Sequence, residues 1–66
     1  MDVDEFSEWL VDQMEKRHLN CLQLAKLTGI THPTIAYYIT GTRSPKLDTL
    51  KLILDAFNMH VEFKDN

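Results

Sequence analysis

Residues 21–40, CLQLAKLTGITHPTIAYYIT, constrain this chain most, because they have the pattern of two short helices joined by a tight turn. Gly29 ends the first helix, since glycine adopts the positive φ of such a turn without steric cost. Thr31 is suited to cap the second helix, and Ile35 to face back toward the first. The small side chain of Ala25 lets the two helices approach closely. This spacing predicts a helix-turn-helix, a motif whose second helix enters the major groove of DNA.

The distribution of charge favours a nucleic-acid partner, although the total charge does not. The formal net charge is −3 and the pI is about 5.4, which alone argues against binding to nucleic acid. All 10 acidic residues lie in residues 1–15 or 48–66, so residues 16–47 have no Asp or Glu. A surface near phosphates gains from the absence of negative charge as well as from added cations. The acid-free segment contains Lys16, Arg17, Lys26, Arg43 and Lys46. The alternative is a chance gap in a small protein.

The length of 66 residues predicts one domain with a marginal core, for which oligomerisation is a common source of stability. The single cysteine, Cys21, excludes an internal disulfide and disfavours a structural zinc site. No signal peptide or apolar run of membrane length is evident, so we expect a soluble, cytoplasmic protein with no membrane partner. We expect no cofactor and no enzymatic activity, because no nucleophile–base pair, metal-ligand set or phosphate-binding loop is present.

A first helix is predicted over FSEWLVDQMEKRHL and the acidic residues that precede it. Phe6, Leu10 and Met14 recur at helical spacing and form its expected inward stripe. Asp4 or Ser7 is the expected N-cap, and negative charge near a helix N-terminus is favoured by the helix dipole.

The two helices of the central motif are predicted over residues 21–28 and 32–39. Asn20 is a favourable N-cap for the first of them. Pro33 is tolerated in the second because it falls in the first turn, where its missing N–H is not needed. Gly41 ends this second helix.

A loop over residues 42–46 leads to a fourth helix over residues 47–57, after which Asn58 suits a left-handed position. The apolar positions of this helix are Leu47, Leu50, Ile53, Leu54 and Phe57.

The C-terminal segment, residues 59–66, alternates between apolar and polar residues with a period of two, which predicts a β-strand. Met59, Val61 and Phe63 would point to one side. A single strand has unpaired backbone groups, so the natural partner is the same strand of a second copy. We therefore predict a domain over residues 1–58 and a dimerisation element over 59–66. In the alternative, the apolar residues of the tail fold back on their own subunit.

The chain resembles the Xre/Cro-repressor helix-turn-helix family over about residues 6–58. The matching positions are Leu19, Asn20, Leu24, Ala25, Gly29, Ile30, Thr31, Ile35, Tyr38, Gly41, Pro45, Leu50 and Ile53. The resemblance implies an all-α, four-helix, lambda repressor-like bundle and a regulator that binds double-stranded DNA; together with the tail, it implies a short C-terminal β-strand used in dimerisation.

This sequence departs from the family at positions that bear on base recognition. The family usually has Gln at the first position of each motif helix, where this chain has Cys21 and His32. It often has Arg in the middle of the second motif helix and Glu near its end, where this chain has Tyr37 and Ile39. The base preferences of relatives therefore cannot be transferred.

The candidate DNA contacts follow from the direction of side chains on the second motif helix and from the loop after it. His32 is expected at a base edge, Ala36 against a thymine methyl group, and Tyr37 on a phosphate or across a base edge. Hydroxyl groups at the helix N-terminus and cations in the loop are expected on the DNA backbone. The full predicted set is Asn20, Cys21, Thr31, His32, Pro33, Thr34, Ala36, Tyr37, Thr40, Arg43, Ser44 and Lys46. For each, the alternative is an ordinary solvated surface residue.

Two functions fit the sequence. The first is a homodimeric, sequence-specific transcriptional regulator of the repressor type that binds a palindromic operator. The second is the antitoxin of a toxin–antitoxin pair, which would bind a toxin protein and also its own promoter. The acidic flanks and the absence of Arg from the second motif helix favour giving weight to the antitoxin.

Overall fold

The computed structural model describes residues 3–58, and all regular structure within that range is helical. The helices are α1 (Val3–Lys16), α2 (Cys21–Thr28), α3 (His32–Ile39) and α4 (Leu47–Ala56). The all-α bundle and the predicted bounds of α2 and α3 are confirmed. The fourth helix begins where predicted and ends one residue early, with Phe57 as its C-cap. The predicted strand and dimerisation element, residues 59–66, lie outside the described residues.

The N-terminus of α1 was predicted wrongly. The helix begins at Val3, so neither Asp4 nor Ser7 is its cap. Asp4 and Glu5 occupy the first turn, where their charge is favoured by the exposed N–H groups of the helix. Ser7 is half-buried on the side of α1 that packs against α3, and its hydroxyl donates a hydrogen bond to the carbonyl of Ile39. A partner in another helix therefore replaces the local cap that the sequence suggested.

Two local signals fix the ends of α2. Asn20 Oδ1 accepts a hydrogen bond from the backbone N–H of Gln23 at 2.8 Å, and Gln23 Oε1 accepts one from the N–H of Asn20 at 2.9 Å. This reciprocal pair is a capping box, which satisfies two otherwise orphaned donors. Gly29 has a φ of 78° and its N–H donates to the carbonyl of Ala25 at 2.9 Å. The predicted cap and glycine turn are confirmed.

The start of α3 differs from the expectation in one respect. Thr31 occupies the N-cap position with an extended backbone, but its side chain makes no capping hydrogen bond. Pro33, the second helical residue, has no N–H to offer, and the hydroxyl of Thr31 does not bond the N–H of the third residue, Thr34. The Thr31 hydroxyl instead pairs with the hydroxyl of Thr34 at 2.8 Å.

One core joins the four helices. Its buried members, all 6% exposed or less, are Phe6, Leu10, Met14, Leu24, Ile35, Tyr38, Ile53 and Phe57. The predicted inward stripe of α1 and the inward residues of α3 are confirmed. Among the residues predicted to form the apolar face of α4, Leu50 and Leu54 are half-buried and Leu47 is 53% exposed. Leu47 is the first residue of α4, so it extends past the core at the end that follows the loop.

Candidate nucleic-acid interface

The outward face of α3 is the largest part of the candidate interface. Ile35 and Tyr38 are buried, which turns the opposite side of the helix toward solvent. The predicted contact residues that are exposed on α3 and its caps are Thr31, His32, Pro33, Tyr37 and Thr40; Thr34 and Ala36 are half-buried. Their exposure agrees with the predicted direction of the side chains, and their contact with DNA stays a prediction.

The N-terminal end of this surface is formed by α2 and the first turn of α3. The oxygen of the Asn20 side chain is engaged in the capping box, and Cys21 is half-buried against the core. These two residues are therefore less available to DNA than the sequence suggested. The Thr31–Thr34 hydroxyl pair is exposed, and the first turn of α3 has no acidic residue. This end can accept a phosphate, because free backbone N–H groups and hydroxyl donors meet there without negative charge.

The C-terminal end of α3 brings together two predicted contacts that the sequence treated separately. The guanidinium carbon of Arg43 lies 4.8 Å from the centroid of the Tyr37 ring. The carbonyl of Tyr37 accepts backbone hydrogen bonds from Thr42 at 2.9 Å and from Arg43 at 3.3 Å. Gly41, with a φ of 77°, allows the chain to turn back over the helix end. Gly41, from which the end of α3 was predicted, is the sequence feature that could have predicted the contact between Arg43 and Tyr37.

Two cations of the acid-free segment have partners within the protein. Lys16 forms an ion pair with Asp12 at 3.0 Å, on the surface of α1. Arg17 donates from Nη1 to Gln13 Oε1 at 2.6 Å and from Nη2 to the carbonyl of Phe57 at 3.4 Å. Its guanidinium carbon also lies 4.6 Å from the centroid of the Phe57 ring. Arg17 therefore joins the end of α1 to the end of α4.

The three remaining cations of that segment are Lys26, Arg43 and Lys46. All three are exposed, and within residues 3–58 none of them has an acidic partner. Ser44, between the last two, is exposed as well. Within residues 3–58, the exposed face of α3 is thus followed by a loop whose two cations, Arg43 and Lys46, have no acidic partner.

The chain matches a known protein family. The helix-turn-helix family model that matches the chain covers residues 12–64, which include α2, α3 and α4. The chain belongs to the Xre/Cro-type helix-turn-helix family. This is a family of DNA-binding transcription regulators and is typically non-enzymatic, so the chain carries a DNA-binding regulatory domain. No curated protein and no solved structure matches the chain significantly. Within residues 3–58, no helix is both long enough and apolar enough to cross a membrane.

Proposed function

We propose that this protein is a sequence-specific repressor that binds a palindromic operator as a homodimer in the cytoplasm. The observation that carries the proposal is the outward face of α3 beside exposed cations with no acidic partner in residues 3–58. A palindromic site suits a two-fold dimer, because each subunit then places one recognition helix in the major groove. Selection of bound sequences from a random duplex pool tests the proposal directly, and recovery of no preferred sequence would contradict it.

The residues divide into those that read bases and those that bind the DNA backbone. His32 can donate to or accept from a base edge, and Ala36 can touch a thymine methyl group. Thr31 and Thr34 suit a phosphate at the N-terminus of α3. The backbone contacts at the other end are assigned to Thr40, Arg43, Ser44 and Lys46. Pro33 lies beside His32 on the exposed first turn, where it shapes the approach of the helix to the groove.

We expect DNA binding to weaken steeply with salt despite the acidic pI. Lys26, Arg43 and Lys46 would neutralise about six phosphates in a dimer, which predicts a slope of roughly −4 to −6 in log K against log salt. Replacing Arg43 or Lys46 by alanine should reduce that slope by about 2 and weaken all sequences equally. Fluorescence anisotropy with a selected duplex at several salt concentrations measures this.

Lys16 is the matched control for the salt experiment, because its ammonium group is already paired with the carboxylate of Asp12 on the same helix, α1. Lys16→Ala should leave the slope of wild type unchanged. A flat salt response of the wild-type protein would contradict the proposed interface.

Replacing His32 by alanine is expected to relax the base preference at particular positions of the operator. A good side-chain contact to a base edge discriminates by about 1–3 kcal/mol against the wrong base. Sequences that the variant selects from a random pool should therefore show a weaker base preference at one position of each half-site. Lys46→Ala is the control, since a phosphate contact carries no sequence information. An unchanged preference in His32→Ala would show that the proposed position of α3 in the groove is wrong.

The homodimer is supported by the alternation of apolar residues in the C-terminal segment and by the small size of the core. Met59, Val61 and Phe63 would pair with the same segment of a second copy. That arrangement would enlarge the core and place two recognition helices about one DNA turn apart.

An antitoxin is the second candidate, and the acidic surface of α1 favours it. Five acids on that helix are exposed: Asp4, Glu5, Glu8, Asp12 and Glu15. Such a surface suits a basic protein partner. A toxin-like reading frame beside the gene, whose product co-elutes with this chain in gel filtration, would support the antitoxin. Co-expression of the adjacent product without complex formation would contradict it.

A further inference from the structure

We infer that the ring of Tyr37 positions the guanidinium of Arg43, which binds one phosphate of the DNA backbone. The inference rests on the proposed function and assigns Tyr37 a role different from reading a base. Its basis is the distance of 4.8 Å between the guanidinium carbon of Arg43 and the centroid of the Tyr37 ring. At that distance the cation is attracted to the face of the ring.

The backbone holds the two residues together independently of the stacking. The carbonyl of Tyr37 accepts hydrogen bonds from the N–H groups of Thr42 and Arg43. The hydroxyl of Thr40 lies 2.9 Å from that of Thr42 and 3.3 Å from the carbonyl of Tyr37. The base of the Arg43 side chain is therefore fixed above the end of α3, and the ring limits where its guanidinium can go.

Stacking leaves the guanidinium able to bind an anion. A ring against one side of the guanidinium cannot engage all five of its N–H donors, which lie in the plane of the group and point outward at its edge. Within the described part of the chain, Arg43 has no carboxylate partner. A phosphate can therefore be bound at the edge, and less rotamer freedom is lost on binding because the ring has already restricted the side chain. Lys46 contacts no aromatic ring in the same residues, so it offers a cation without this support.

A positioning role and a base-reading role for Tyr37 have different consequences. If Tyr37 reads a base, its removal changes the preferred sequence. If Tyr37 acts through Arg43, its removal weakens binding to all duplexes about equally, and the effect disappears when Arg43 is already absent. Tyr37 is 41% exposed, so its replacement does not disturb the core.

The first experiment is a double-mutant cycle with a selected duplex, using Tyr37→Leu and Arg43→Ala. A cation–ring interaction at an exposed site corresponds to about a two- to five-fold change in affinity, hence about four- to 25-fold for a dimer that uses it twice. We expect Tyr37→Leu to show that loss in wild type and almost none in the Arg43→Ala background. Tyr37→Phe, which keeps the ring, should bind within about two-fold of wild type.

The control cycle pairs Tyr37→Leu with Lys46→Ala, for which the effects should add, because the two side chains share no contact. Additive effects of Tyr37→Leu and Arg43→Ala would overturn the inference. A changed base preference in Tyr37→Leu would also overturn it and assign Tyr37 to base reading.

The second experiment uses the protein without DNA, so that it reports on the pair apart from the proposed function. In the NMR spectrum, the δ-methylene protons of Arg43 should be shifted upfield by the ring of Tyr37. The shift should persist in Tyr37→Phe and vanish in Tyr37→Leu. Its absence from wild type would overturn the pairing itself. If the shift is present but wild type binds no duplex, the proposed function fails, and the assigned phosphate contact fails with it.

Discussion

Replacing Ile53 by alanine is expected to lower the free energy of unfolding by about 2–5 kcal/mol, because it removes three carbon atoms from a fully buried site. Ile53 is 0% exposed and belongs to the core where α4 packs against α2. A domain of this size has a total stability of about 3–10 kcal/mol, so the loss is a large fraction of it and the midpoint of thermal unfolding should fall well below that of wild type. Thermal unfolding followed by circular dichroism measures the effect.

The adjacent residue on α4 is the matched control. Leu52 is 46% exposed, so Leu52→Ala removes a side chain of the same size from the surface of the same helix. We expect a change within about 0.5 kcal/mol, as is usual for surface positions. Equal losses of stability in the two variants would contradict the packing of α4 described above.

Deleting residues 59–66 is expected to convert the proposed dimer into a monomer and to weaken operator binding by about 10²–10⁴-fold. The physical reason is effective concentration: in a dimer, binding of one subunit holds the second close to its half-site. Sedimentation velocity measures the state of association, and titration with a selected duplex measures the affinity.

A pair of point variants separates the proposed strand from a merely hydrophobic tail. Val61→Asp places a charge on the apolar side of the alternation and should yield a monomer. His60→Asp introduces the same charge on the polar side and should remain a dimer. If the truncated chain stays dimeric, the interface lies elsewhere, and the exposed side chain of Leu52 beside half-buried Leu54 on α4 is then the surface to test.

The helix-turn-helix was predictable because its signals are local. Asn20 and Gly29 mark the ends of α2 by groups that act within four residues, and Thr31 and Gly41 mark the ends of α3 in a similar way. The buried faces of α1 and α3 follow from helical periodicity in the same way. At Thr31 the sequence predicted the N-cap position correctly, but not the hydroxyl pairing with Thr34 that the side chain makes instead of a capping hydrogen bond.

The contacts that the sequence did not predict join residues far apart in the chain. Ser7 donates to the carbonyl of Ile39, and Arg17 donates to the carbonyl of Phe57. Neither acceptor is a side chain, so no pattern of residue types identifies it. Arg17 belongs to the acid-free segment that favoured a nucleic-acid partner, yet its guanidinium joins the end of α1 to the end of α4.

Helix α3, which we propose as the recognition helix, also contributes to the core, and this has a consequence for regulation. Ile35 and Tyr38 are buried among residues of the other helices, and Ser7 holds the last carbonyl of α3. Such an element cannot open while the remainder stays intact, so its local and global unfolding coincide. The fraction of molecules competent to occupy an operator is then the folded fraction. For the proposed repressor, heating that unfolds the protein would therefore release the target gene without any dedicated thermosensor.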